Sequence, residues 1–122
     1  MPSVTYKWVQ AKGELKLGEN VLATGYAGAP GHKNKTESEQ LKNLGPIPRG
    51  GYEITLIYPK HEKFGQYCCV LKPDLKNKMF GRSAFMIHAD SIAKPGEASE
   101  GCIVLGPKYR AIFRVGDRVE VV

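Results

Sequence analysis

The chain opens with Met1-Pro2-Ser3-Val4-Thr5-Tyr6-Lys7-Trp8, which holds neither a long apolar run nor a charged start leading into one. A membrane-spanning helix and a standard secretory signal are therefore not expected. Export would depend on some other device. Cys-x-x-Cys spacing and closely spaced histidine pairs are missing too, so no metal and no other cofactor is expected. Three cysteines are an odd number, which argues against a pure disulfide framework. There is no internal repeat, low-complexity tract or linker, and residues 1–122 read as a single domain. Also lacking is a basic helix or a basic motif interleaved with aromatics. Eighteen Lys and Arg against twelve Asp and Glu give a net charge of +6, but the lysines are dispersed. Nucleic-acid binding is not expected from such a pattern. The basic surface is either simple solvation or an attraction to an anionic partner such as the bacterial wall.

What is present is an ordinary globular composition, 42% hydrophobic and 25% charged. Val4, Tyr6 and Trp8 alternate along a strand over residues 4–9. Gly13 and Gly18-Glu19-Asn20 bracket a second strand at residues 14–17, and a third follows at 20–26, giving an antiparallel meander. Residues 27–35 have loop composition. Thr36 with Glu39 suggests a capped helical turn. Gly45-Pro46-Ile47-Pro48-Arg49-Gly50-Gly51 reads as a rigid connector. Strands are predicted at 52–58, 66–71, 83–88, 102–105 and 118–122, with a helical turn after Pro107. Cys68 and Cys69 fall in one of these strands, where neighbours point to opposite faces, so one of them is expected inside. The fold expected is mainly β, with one or two short helices.

One segment carries candidate chemistry. Phe85-Met86-Ile87-His88-Ala89-Asp90 ends an apolar strand in a histidine. After a loop, Ser99-Glu100-Gly101-Cys102-Ile103-Val104-Leu105 opens the next with a Gly-Cys pair. If the two ends are neighbours in a sheet, the imidazole reaches the thiol and activates it. Gly101 permits a tight turn, and the backbone N–H groups of Gly101 and Cys102 are candidates for holding an oxyanion. A single His and a single Cys are more often packing residues, so the pair alone decides little.

These residues resemble the active-site signature of L,D-transpeptidases, in which a His precedes a Ser/Thr-x-Gly-Cys element. More closely, the chain resembles the small L,D-transpeptidase-related effector domain delivered by type VI secretion systems. Three pieces carry the likeness: Thr24-Gly25-Tyr26-Ala27-Gly28 with Asn34 beyond it, Gly45 through Ile54, and Arg82 through Leu105. Two positions depart from the general transpeptidase pattern. Glu100 stands where a second His precedes the Gly-Cys, and Val104 stands where Arg or Asn follows it.

The resemblance implies an L,D-transpeptidase-like β-sandwich or barrel acting on peptidoglycan stem peptides. Cys102 would attack the carbonyl of the third stem residue and expel the terminal D-alanine, with His88 shuttling the proton. In that family a backbone carbonyl usually orients the His. Ser99, through its backbone or hydroxyl, and Asp90 are the local candidates, and Ser99 is favoured. Asp90 reads equally as a turn residue. Arg82 is placed by strand periodicity on the face of His88 and is either a ligand for a substrate carboxylate or a solvated arginine. Tyr26 and Asn34 line the cleft by analogy, although Tyr26 also reads as a core aromatic. His32 and His61 read as surface residues. The resemblance further implies a cognate immunity protein, a secretion apparatus as partner, and action in a target cell's periplasm. A cysteine peptidase or amidase on other peptides, or a non-catalytic wall-binding domain, are the competing readings.

Overall fold

Alternation builds the first strand: in β1 (Thr5–Val9), Tyr6 and Trp8 turn inward while Thr5 and Lys7 face solvent. β2 (Glu14–Leu17) and β3 (Asn20–Thr24) complete the antiparallel meander. The other strands are β4 (Tyr26–Ala27), β5 (Gly50–His61), β6 (Gly65–Pro73), β7 (Phe85–His88), β8 (Ile103–Val104) and β9 (Arg118–Val121). The computed structural model describes residues 3–122. Among the described residues helix is limited to α1 (Pro107–Arg110) and two 3-10 turns, Gln10–Lys12 and Thr36–Ser38. None of these is long and apolar enough to cross a membrane.

The nine strands of the described residues form one sheet in the order β3-β2-β1-β9-β5-β6-β7-β8-β4. Its two edge strands are consecutive in the chain, separated only by Gly25, so the sheet curls until its edges are bridged by a single residue. Gly25 donates its N–H to the Gly13 carbonyl at 2.8 Å on one side. On the other, a Cβ at Gly25 would lie 2.1 Å from the Val104 carbonyl oxygen and 2.9 Å from Leu105 Cδ2. Only glycine passes through that gap. Inside the curl, Trp8, Leu15, Ile47, Tyr52, Ile54, Ile87, Ile103, Phe113 and Val119 are fully buried. The buried Gln10 is satisfied from both ends: its Oε1 accepts from the Trp8 indole and its Nε2 donates to the Ile47 carbonyl.

Two local expectations change. Cys68 and Cys69 are both buried, not one of the two, because β6 is covered on both faces. The Cys68 thiol donates to the carbonyls of Phe64 and Gly65, and Arg110 from α1 reaches across to the Gln66 carbonyl. The Thr36–Ser38 turn has no side-chain cap. Glu39 turns away from it to accept from the backbone and guanidinium of Arg49.

Replacing Gly25 by Ala should force the two edges apart and destabilise the fold by about 1–3 kcal/mol. A denaturant midpoint unchanged in Gly25→Ala would show that the closure tolerates a side chain.

Candidate active site

β7 and β8 run parallel, with Ile87 opposite Ile103 and His88 opposite Val104. Ile87 and Ile103 point into the core. Their alternates, Met86, His88 and Val104, therefore take the opposite face. Cys102 precedes Ile103 and joins them there, diagonal to His88. The thiol and the imidazole line the same cleft, of about 460 Å3, together with Lys42, Lys63, Phe64 and Ala84.

His88 is held from two directions. Nδ1 lies 2.8 Å from the Ala89 carbonyl, an acceptor only, so Nδ1 carries the proton and Nε2 keeps a lone pair. The Phe64 ring, at the tip of the β5–β6 hairpin, stacks on the imidazole at 4.6 Å and 29°. Burial lowers the His88 pKa below its ordinary value, outweighing the hydrogen bond to Ala89. The imidazole is thus a neutral base at pH 7.

The Cys102 Sγ accepts the Met86 N–H at 3.3 Å and faces the Ala84 carbonyl at 3.9 Å. Ala84 reaches that position only in the left-handed region, at φ 65, and Asn43 on the cleft wall is left-handed too, at φ 64. Backbone strain of this kind gathers where a site over-determines its geometry. Desolvation pushes the thiol up to about 11, against smaller opposing effects from Met86 N–H and Arg82. Both shifts favour the uncharged forms, a thiol at Cys102 and a neutral imidazole at His88.

Ser99 does not touch His88, contrary to the role favoured from sequence. Its hydroxyl donates to the Cys102 carbonyl at 2.6 Å and accepts from the N–H groups of Gly28 and Gly101. It braces the turn beneath the thiol, and the carbonyl that orients the imidazole belongs to Ala89. The bond from Gly101 commits its N–H to Ser99 and removes it from the two donors suggested by sequence. Gly101 itself sits at φ +150, where a Cβ would come within 2.6 Å of Arg82 Nη2 and 2.8 Å of Phe85 Cε1.

Arg82 lines the cleft wall but is not solvated. It lies before β7 begins, so strand periodicity does not reach it, and it is only 7% exposed. Nη1 donates to the carbonyls of Glu39 and Pro46, and Nη2 to those of Gly45 and Glu100. Tyr26, Asn34 and Asp90 fall outside the cleft lining. Tyr26 donates its hydroxyl to Asp90 at 2.6 Å and accepts the Ala98 N–H, while Asp90 also accepts from Ser91 and Gly96. Together they pin the loop between β7 and β8. Asn34 accepts the Ala27 N–H and reaches the Gly25 carbonyl, supporting the sheet closure. Phe64 was not singled out by its pattern, since a lone aromatic in a polar turn gives no periodic signal. His61 joins it: its Nδ1 accepts the N–H groups of Lys63 and Phe64, shaping the hairpin tip.

The family model of the Tlde1 domain matches residues 22–121. The chain belongs to the Tlde1 domain family. This is the L,D-transpeptidase-related effector family that the sequence motifs resemble. Two solved structures share the fold. One is an L,D-transpeptidase from Stackebrandtia nassauensis, with TM-score 0.56, 15% identity, and coverage of 99% of this chain and 56% of that one. The other is an L,D-transpeptidase from Xylanimonas cellulosilytica, with TM-score 0.55, 14% identity, and coverage of 99% and 62%. This chain therefore spans somewhat over half the length of each. Among curated proteins none matches the Tlde1 chain significantly.

Two outcomes test this geometry. Alkylation of Cys102 should accelerate with pH well above 8, following a thiol raised to about 11; a rate plateau near pH 6–7 would indicate a preformed thiolate–imidazolium pair instead. Arg82→Ala should destabilise the fold by more than about 3 kcal/mol, since several buried carbonyls lose their donor together. A chemical denaturation curve superimposable on wild type would remove that structural role.

Proposed function

We propose that this Tlde1 domain cleaves the stem peptides of peptidoglycan as an L,D-carboxypeptidase or L,D-transpeptidase, through an acyl-enzyme on Cys102. The observation carrying this reading is the pairing of Cys102 with an imidazole whose Nδ1 proton is fixed on Ala89, on one face of adjacent parallel strands within one cleft. The family membership supports the substrate class.

In this mechanism His88 Nε2 takes the thiol proton as Sγ attacks the carbonyl of the third stem residue. The Cys102 N–H donates to the resulting oxyanion. As the tetrahedral adduct collapses, the carbon–nitrogen bond breaks and His88 returns the proton to the departing amine of the terminal D-alanine. A thioester remains. Water, deprotonated by the same imidazole, resolves it to a tripeptide stem, and a D-amino acid or a second stem amine resolves it to an exchanged or cross-linked product. As an effector, the domain would be delivered by a secretion apparatus to a rival's periplasm and opposed in the producer by an immunity protein.

Purified protein should convert tetrapeptide-rich sacculi to tripeptide stems, and with added D-amino acid should yield mass-shifted stems. Cys102→Ala should abolish both products, and His88→Ala should slow them by about a hundred- to ten-thousand-fold. Muropeptide mass analysis in which folded, reduced wild type leaves every stem intact would reject the enzyme reading in favour of a binding role.

A further inference from the structure

With Arg82 committed to backbone carbonyls, the cleft needs another group to meet the free carboxylate at the end of a tetrapeptide stem. Two lysines line it, Lys42 and Lys63. Both are exposed, and neither joins a salt bridge among the described residues. Their positions differ. Lys42 belongs to the loop whose Gly45 carbonyl meets Arg82 and packs near Gly101. Lys63 lies beyond His88. Its Nζ is 5.2 Å from the centroid of the Phe64 ring, and that ring stacks on the imidazole. Imidazole, Phe64 ring and Lys63 ammonium thus form a contiguous row of contacts.

Acid catalysis gives this row a direction. A general acid hands its proton to the leaving nitrogen, so the departing residue lies on the His88 side of the thiol. In a terminal D-alanine the carboxylate is one α carbon away from that nitrogen, and it projects past the imidazole toward the hairpin tip. We propose that Lys63 binds this terminal carboxylate and so restricts cleavage to stems with a free C-terminus. The proposal rests on the stem-peptide reading above and names what selects the substrate within it. The tip that carries Lys63 is anchored: His61 Nδ1 accepts the Lys63 N–H at 3.1 Å, and the Phe64 carbonyl accepts the Ala89 N–H at 3.2 Å. The backbone of Lys63 is thereby fixed to the strand end that bears the general acid. Its flexible stem leaves the ammonium free to meet a carboxylate as a point charge.

The test uses a synthetic stem tetrapeptide ending in D-alanine and the same peptide ending in D-alaninamide, with wild type and Lys63→Gln. Wild type should favour the acid by about ten- to a hundred-fold in kcat/KM, the range for a charged hydrogen bond. Lys63→Gln should lose that preference through a slower reaction with the acid alone. Its rate on the amide and its rate of Cys102 alkylation should match wild type, which separates lost recognition from a disturbed site. Equal cleavage of both peptides by wild type, or a preference retained in Lys63→Gln, overturns the role of Lys63 while leaving the stem-peptide reading standing. If wild type cleaves neither peptide, nor the stems of sacculi, that reading fails and the proposal falls with it.

Discussion

The Arg82 guanidinium sits among the carbonyls of Glu39, Gly45, Pro46 and Glu100, and both walls of the cleft depend on that junction. Residues 39–46 have almost no regular structure to satisfy their carbonyls. A single planar fork with five N–H donors does so at once, and it fastens this loop to the turn that presents Cys102. The same cation lies over the Phe85 ring at 5.1 Å, so the base of β7 is included. Placing a cation here carries a desolvation cost. It is offset by charge-assisted bonds, each stronger than a neutral one, and burial accordingly lowers the Arg82 pKa only as a partly opposed effect.

That junction also shapes the electrostatics of Cys102. Arg82 and the Met86 N–H both favour the Cys102 thiolate, yet desolvation outweighs them and keeps the thiol protonated. His88, depressed by burial, is deprotonated in the same range. Both groups are displaced toward their neutral forms by one cause, the loss of water on burial.

The mainly β architecture, most strand positions, and the His88 and Cys102 segments were legible because they rest on local signals: period-2 alternation, turn residues, and a Gly-Cys step after an apolar strand end. Arg82 was not. Its apparent periodicity with His88 assumed a strand that begins only at Phe85, and the left-handed Ala84 breaks the alternation between them. Ser99 was recognised as important but given the wrong partner, because its contacts to Gly28 and Cys102 depend on how the loop folds back. The Tyr26–Asp90 bond spans sixty-four positions and leaves no trace in spacing. Phe64 and His61 act from a hairpin tip whose position over His88 follows from the length of β5 and β6, which sequence pattern underestimated.

The relation between His88 and Cys102 is finally a matter of register. In a parallel pair, the side chains of matched residues share a face, so a slip of one residue between β7 and β8 would send Cys102 into the core beside Ile87. β8 has only two residues in the ladder and cannot set its own register by pairing alone. Three constraints from outside the pair do so. β4 pairs with the other side of β8, matching Tyr26 to Val104 and Ala27 to Ile103. Ser99 ties the Cys102 carbonyl to Gly28, one residue beyond that pairing. Gly25, one residue before it, is in contact with the Val104 carbonyl. The segment that closes the sheet is therefore the segment that indexes Cys102, which explains why a stretch outside the cleft, from Gly25 to Gly28, carries part of the family likeness.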